Sequence, residues 1–408
     1  MDTEEFKQKR RFIVKLGKML HRYGTPAFRL EAYLADVAEY LDLRASFNST
    51  PTSIIFVIWS DNHEEEYTHA ARLAPGDIDL NSLACADALA MKLLAGELSL
   101  SQAERELERI DDLTSPYNRS FTACGFAMST GAFAALMGAG AREIVISALL
   151  GALVYLWTFF AEKSKRVNLM LEPVASFSVA FFASVFSHYF FNGLNVWLVI
   201  LSSLIILVPG LSLTMGLAEL SSRNLVSGTA RVMDAVMQLF KLYFGAFIGI
   251  YLAISIYGEF YVADVIKLPE FIQWISVLAL SLGLITVFKT RFQDVPYAIS
   301  ATFIAFAATK LSSAYLEQGL GAFVGAFVLG VYANLLTRIS KKPSTIFALH
   351  GLIVLVPGSK TYIGLNAYIS GTDFLPAEHV GPEIFLILMS LVAGLIFANA
   401  VAPTKKAL

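Results

Sequence analysis

Leu204-Ile205-Ile206-Leu207-Val208-Pro209-Gly210 recurs almost letter for letter as Leu352-Ile353-Val354-Leu355-Val356-Pro357-Gly358. Each copy reaches a Gly-Leu pair six residues further on, Gly216-Leu217 and Gly364-Leu365, and the offset is 148 residues throughout. A Pro inside an apolar helix removes one backbone hydrogen bond and crowds the preceding turn. Gly beside it lets the backbone unwind. In a bilayer the freed N–H and C=O groups must be met by protein, water or a ligand. One Val-Pro-Gly alone is adequately explained as a kink. Two at matching positions point to a duplicated membrane unit whose halves build a polar site between broken helices.

The composition around these segments agrees. The chain has 408 residues, 56% of them hydrophobic, a value too high for an ordinary soluble globular protein. Residues 1–115 hold 33 of the 64 charged side chains, so the remaining 293 residues are depleted in charge. An N-terminal soluble domain at 1–115 is therefore expected, followed by membrane repeats at 116–260 and 261–408. The net charge of −2 gives no electrostatic reason to expect a nucleic-acid partner. Cys85 and Cys124 form no disulfide framework or metal spacing. No apolar signal-type run directly follows the charged stretch Met1–Arg11, so the soluble domain is expected on the side of synthesis.

Ten stretches after residue 115 are long and apolar enough to span: 119–138, 142–160, 172–191, 194–215, 230–257, 270–288, 293–311, 318–338, 344–369 and 382–403. Five per repeat is an odd number, so the second copy must insert upside down relative to the first, as in many secondary transporters. The connecting charges fit. With a cytoplasmic N-terminus, the inner connections carry Lys163, Lys165, Arg166, Arg223, Lys289, Arg291, Arg338, Lys341, Lys342, Lys405 and Lys406. The outer ones carry Arg142 and Lys267 against Glu259, Asp264, Glu270, Asp373, Glu378 and Glu383. That asymmetry is the positive-inside pattern. It predicts a multi-pass protein of the plasma membrane with both termini cytoplasmic.

The N-terminal domain is expected to be α+β. Helical spacing covers 5–23 and 28–42, and 52–59 is rich in β-formers. A second strand fits 65–73, and helices fit 79–95 and 101–110. Ser101-Gln102-Ala103-Glu104 resembles a capping box.

Chemistry is sought where polar residues fall inside the spans. The breaks themselves, Pro209-Gly210 and Pro357-Gly358, expose helix ends, and an N-terminal end favours a carboxylate. Ser212 and Thr214 follow the first break, and Ser359 and Lys360 follow the second. Arg231, Asp234, Gln238, Lys241 and Gly245 fall within an arc of roughly 80° on one helix face. Such a stripe must face a cavity or a partner helix. It serves either to pin helices together or to carry function. Asp234 and Glu219 are the candidate proton-coupling carboxylates, with Arg231 as partner of Asp234 or as an inner gate. Ser129 and Thr130 are further hydroxyls available to a substrate. His350 fits a hydrogen-bonded structural role better than a proton relay. His63-Glu64-Glu65-Glu66 with His69 matches no zinc spacing. No phosphate-binding loop, dinucleotide fingerprint or nucleophile elbow is present, and Asp234 has no second aspartate in the interior of a span to form a protease pair. No cofactor and no enzymatic activity are expected.

His21-Arg22-Tyr23-Gly24-Thr25-Pro26-Ala27-Phe28-Arg29-Leu30-Glu31, Thr50-Pro51-Thr52, Pro75-Gly76-Asp77, Val208-Pro209-Gly210 with Ser227-Gly228-Thr229-Ala230-Arg231, and Val356-Pro357-Gly358-Ser359-Lys360 occur in that order. In this the chain resembles the threonine/serine exporter family, over about residues 10–400. That family takes in bacterial amino-acid exporters and fungal pheromone-regulated membrane proteins. The resemblance implies ten spans in two halves and export of L-threonine and L-serine driven by the proton gradient. Where the family often has Asp in a Gly-x-Asp-Leu-like stretch, Ala218-Glu219-Leu220 supplies Glu.

The expected protein is thus a secondary exporter of small neutral hydroxy amino acids. The substrate-binding set is Pro209, Gly210, Ser212, Thr214, Arg231, Pro357, Gly358, Ser359 and Lys360, with proton coupling at Asp234 and Glu219. Its partners are the amino acid, protons and the lipid bilayer, with homo-oligomerisation left open. The alternatives are a transporter of another solute such as a dicarboxylate, or a non-transporting receptor or scaffold. The motif His21–Glu31 lies outside the spans and is expected to serve the fold, with Arg29 and Glu31 as a pinning pair; the alternative is a domain that gates the inner mouth or stays on the membrane domain as a regulatory element.

Overall fold

The computed structural model describes residues 3–59, 66–258, 268–316, 318–356 and 377–403. The chain is mostly helical. Two helices, α1 (Thr3–Arg22) and α2 (Ala27–Tyr40), precede a three-stranded antiparallel sheet, β1 (Arg44–Thr50), β2 (Ser53–Trp59) and β3 (Glu66–Arg72), in the order β1-β2-β3. Helices α3 (Leu80–Leu94) and α4 (Leu100–Asp111) complete this N-terminal unit. Ile54, Phe56 and Ile58 alternate along β2 and are fully buried, the period-two pattern of a half-covered sheet. Strand β1, Arg-Ala-Ser-Phe-Asn-Ser-Thr, is too polar to signal itself, yet it pairs with β2 in register Phe47↔Phe56. The capping box of α4 is Ser99 with Gln102, two residues earlier than the sequence suggests. Ser101 already lies inside the helix, so it cannot be the cap.

The remaining helices are α5 (Arg119–Leu136), α6 (Ala141–Lys163), α7 (Lys165–Leu169), α8 (Leu171–Tyr189), α9 (Val196–Leu204), α10 (Gly210–Ser221), α11 (Leu225–Tyr257), α12 (Phe271–Val287), α13 (Val295–Ser313), α14 (Gln318–Ser340), α15 (Ser344–Leu355) and α16 (Ala377–Val401). Five segments among the described residues are long and apolar enough to cross a bilayer: Ala141–Lys163, Leu225–Tyr257, Phe292–Ser313, Gly319–Ser340 and Pro382–Val401. Phe271–Val287 and Ser344–Leu355 are shorter apolar helices. Helix α8 packs along α11, as α14 packs along α16. Helices α5 and α12 cross where Gly125 meets Gly283. A Cβ on Gly283 would lie 2.7 Å from the Gly125 carbonyl oxygen, and one on Gly125 would lie 2.9 Å from that of Gly283. Small residues at a crossing allow this backbone approach between apolar helices.

The N-terminal unit does not stand apart. Its core is continuous with Ala132 of α5, with Leu280 and Leu284 of α12 and Phe288 at its end, and with Leu349 of α15. Leu80 N donates to Phe288 O at 3.0 Å, Lys289 pairs with Asp79 at 3.3 Å, and Tyr117 OH donates to Thr290 O at 2.6 Å. These contacts seat the unit on one end of the helical assembly.

Candidate functional site

The span expected at 194–215 is two helices, α9 and α10, separated at 205–209. Pro209 sits at the N-cap of α10 with φ −79° and ψ 40°, outside helical geometry. The first helical bond of α10 runs from Leu213 N to Pro209 O, 3.0 Å. The N–H groups of Leu211 and Ser212 have no backbone partner among the described residues, as expected for a helix start. Gly210 and Thr214 are buried, Ser212 is half-buried, and Thr214 Oγ1 donates back to Gly210 O at 3.1 Å. Pro357, Gly358, Ser359 and Lys360 lie outside the described residues.

At the other end of α10 is Glu219, 0% exposed. Its position follows from a glycine crossing. A Cβ on Gly216 would lie 2.8 Å from Val232 and 3.2 Å from Gly228 O, and one on Gly228 would lie 2.7 Å from Gly216 O. Helices α10 and α11 therefore touch backbone to backbone, and the residues three positions beyond each glycine come together. Arg231 donates to Glu219 through Nη2 at 3.0 Å and Nε at 3.3 Å. Ser227 Oγ donates to the second carboxylate oxygen at 2.8 Å. A fourth bond comes from the N-terminal unit: Ala27 N, in the first turn of α2, donates to Oε1 at 3.1 Å. A carboxylate at a helix N-terminus is favoured by charge as well as by hydrogen bonding.

Arg29, half a turn further along α2, donates from Nη1 to Ser344 Oγ at 2.8 Å and to Thr345 Oγ1 at 3.0 Å. Both acceptors open α15, which lies 148 residues on from the start of α9. The first turn of α2 is thus tied to the end of α10 and to the beginning of α15. The expected Arg29–Glu31 pair does not form. Residues two apart on a helix point apart, and Glu31 accepts Ser49 N at 2.6 Å instead.

The polar stripe of α11 is divided among partners. Arg231 pairs with Glu219 and not with Asp234. Lys241 lies 3.6 Å from Glu172 of α8. Asp234 is exposed and accepts Gln238 Nε2 at 3.2 Å. At 33 residues α11 is about 50 Å long at 1.5 Å per residue, against a hydrocarbon core of about 30 Å. Its charges occupy the first half, and 242–257 carries none.

Buried hydroxyls cluster before the break. Thr130 Oγ1 donates to Ser147 O at 2.9 Å, and Ser203 Oγ donates to Val199 O at 2.7 Å. The hydroxyls of Ser129, Ser147 and Ser202 are buried without a partner among the described residues. His350 is buried with Nε2 3.1 Å from Thr290 Oγ1. On the N-terminal side, His21 Nε2 donates to Thr50 O at 3.0 Å, and Nδ1 is buried without a partner. Burial first, and the neighbouring Arg231 charge second among the lowering influences, hold the His21 pKa below its ordinary 6.5. Burial pushes Glu31 upward.

The family model described as "Putative threonine/serine exporter" matches residues 11–253, and a second, "Threonine/Serine exporter, ThrE", matches 270–401. The chain belongs to the threonine/serine exporter family. This exporter-family chain is 26% identical to pheromone-regulated membrane protein 10 of Debaryomyces hansenii, over 91% of its own length and 38% of the relative's. The protein of that name in Eremothecium gossypii is 25% identical over 97% of this chain and 56% of its own length. That in Candida albicans is 28% identical over 88% and 34%. The chain therefore spans between about a third and somewhat over half of these relatives. No solved structure matches. With five helices long and apolar enough to cross a bilayer among the described residues, and with this membership, the protein is an integral membrane protein of an exporter family.

Proposed function

We propose that this protein is a secondary active transporter that exports small neutral hydroxy amino acids, L-threonine and L-serine, by proton antiport. The observation that carries the reading is the buried Glu219–Arg231 pair, which shares its carboxylate with Ala27 of the N-terminal unit. Protonation of Glu219 removes the charge that holds three donors. While Glu219 is ionised the pair opens to a zwitterion, ammonium to Glu219 and carboxylate to Arg231; protonation withdraws the ammonium's partner, so proton and substrate occupy the site in turn, as antiport requires. Ala27 N–H and Ser227 O–H lose a charged acceptor at the same moment, so the N-terminal unit loosens where the substrate must enter. The unpaired N–H groups at the start of α10, beside Pro209, Gly210 and Ser212, suit the same carboxylate. Thr214 supports that turn from within.

The architecture proposed with it is ten spans as two inverted five-helix halves, 116–260 and 261–408, on a soluble cytoplasmic domain at 1–115. The 148-residue correspondence of α9 with α15 supports it, as do the matching pairs α8–α11 and α14–α16. Pro357, Gly358, Ser359 and Lys360 form the counterpart of the first break, with Lys360 as a second cation for the substrate. Asp234 is the other carboxylate to test. Purified protein in proteoliposomes should accumulate labelled threonine when an outwardly directed proton gradient is imposed, and unlabelled serine should compete. Competition by succinate but not by serine favours a dicarboxylate carrier, and no flux of any solute favours a scaffold.

A further inference from the structure

A groove of about 700 Å³ runs between α3 and α4 on the N-terminal unit. Lys92, Arg105, Arg109 and Arg291 rim it, and Leu89 and Ile110 lie among its apolar residues. Two of the cations are committed, Arg109 to Glu106 at 3.1 Å and Arg291 to Asp294 at 2.9 Å. Lys92 and Arg105 are exposed and have no ionic partner among the described residues. Four cations against one acidic rim residue, Glu106, give the groove a net positive rim.

Its place in the fold decides what it faces. Arg291 belongs to the connection between α12 and α13, and Leu113 at the groove edge lies in the link from α4 to α5. From there an apolar strip continues outside the groove. Leu113 is 45% exposed, Phe121 64% and Phe292 71%, and Tyr117 packs edge-on against Phe292 at 5.3 Å. Exposed aromatics beside basic residues at the ends of apolar helices are the composition of a membrane–water interface. A groove that is cationic at its rim, apolar at its floor and continuous with that strip suits one class of ligand.

We propose that this groove holds the headgroup of an anionic phospholipid from the leaflet next to the N-terminal unit. Lys92 and Arg105 meet the phosphate, and Leu113 and Phe292 lie against the upper acyl chains. Anionic headgroups attract basic residues beside a spanning helix. A free phosphate would use the cations and leave the apolar strip uncovered. The inference rests on α5 and α13 being spans, but not on which solute is carried.

The test uses delipidated full-length protein in detergent, with bound lipid counted by native mass spectrometry during titration with phosphatidylglycerol or phosphatidylcholine. The protein should retain phosphatidylglycerol in preference to phosphatidylcholine. Lys92→Ala with Arg105→Ala should weaken that retention about thirtyfold. Lys18→Ala with Arg72→Ala, elsewhere on the same unit, should leave it unchanged. Equal retention of the two lipids overturns the proposal, as does a Lys92/Arg105 variant that binds like the parent. Full displacement of the lipid by millimolar inorganic phosphate assigns the groove to a free anion. Threonine flux measured after reconstituting the same proteins into proteoliposomes reports separately on the transport reading.

Discussion

Glu219 and Ala27, 192 positions apart in sequence, meet at 3.1 Å, the carboxylate of one accepting the backbone N–H of the other. This bond joins the end of the broken helix to the start of α2. It makes the N-terminal unit part of the candidate site rather than an appendage. Glu219→Ala leaves Arg231, Ser227 and Ala27 without an acceptor in a buried place, at a cost of about 3–5 kcal/mol. Hydrogen exchange in the first turn of α2 should rise strongly in this variant and little in α4, whose cap is independent. Equal exchange in both helices would mean that the bond does not hold the unit down.

Arg29 provides the second tie. Arg29→Ala removes two charge-assisted bonds to Ser344 and Thr345, each worth about 1.5–3 kcal/mol. Arg29→Lys keeps the charge but offers a single ammonium where a guanidinium nitrogen now reaches two hydroxyls. Limited proteolysis between residues 112 and 118 should accelerate in the order parent, Lys, Ala.

The Gly125–Gly283 crossing should tolerate no side chain. A Cβ at Gly125 would sit 1.8 Å from Thr286 Oγ1, and one at Gly283 2.3 Å from Ser129 Oγ. Overpacking of this kind costs about 1–3 kcal/mol. The thermal midpoint of Gly125→Ala in detergent should therefore fall by several degrees. Gly138→Ala serves as the contrast in packing, because nothing lies within 4 Å there, although its φ of +83° carries its own strain.

Much of this could be read in the chain beforehand. The 148-residue repeat drew attention to Pro209, and the helix that ends at Leu204 and restarts at Gly210 lies where that residue requires; its counterpart at Pro357 lies outside the described residues. The partners of the charges were not legible. Arg231 and Asp234 share one face of α11, so spacing alone pairs them. The glycine crossing that brings Glu219 across from α10 depends on Gly216 meeting Gly228, a contact between helices. The role of Ala27 had no side-chain signal at all, since its contribution is a backbone N–H. Arg29 and Glu31 looked like a pair only because they are close in sequence.

Acidification should loosen the N-terminal unit through His21. Its pKa is lowered on folding, so the unfolded chain binds more protons just below pH 6.5. The stability is present above pH 6.5 and is lost as pH falls towards the folded value. The groups around it act in both directions: Arg231 lowers the pKa, and Glu219 with the carbonyls of Thr50 and Pro51 raises it. Glu31, raised by burial, works in the opposite sense, stabilising at low pH and losing that contribution as pH rises through its folded value. His21→Gln should therefore flatten the decline in thermal midpoint below pH 6.5, and Glu31→Gln should not.

In the proposed antiport Glu219 carries the exchanged proton. Threonine flux in proteoliposomes, measured with and without an imposed pH gradient for the parent, Glu219→Gln and Asp234→Asn, tests it directly. Glu219→Gln should still exchange labelled for unlabelled threonine but no longer respond to the gradient, while Asp234→Asn should respond as the parent does. A Glu219→Gln protein whose flux still follows the pH gradient would contradict it.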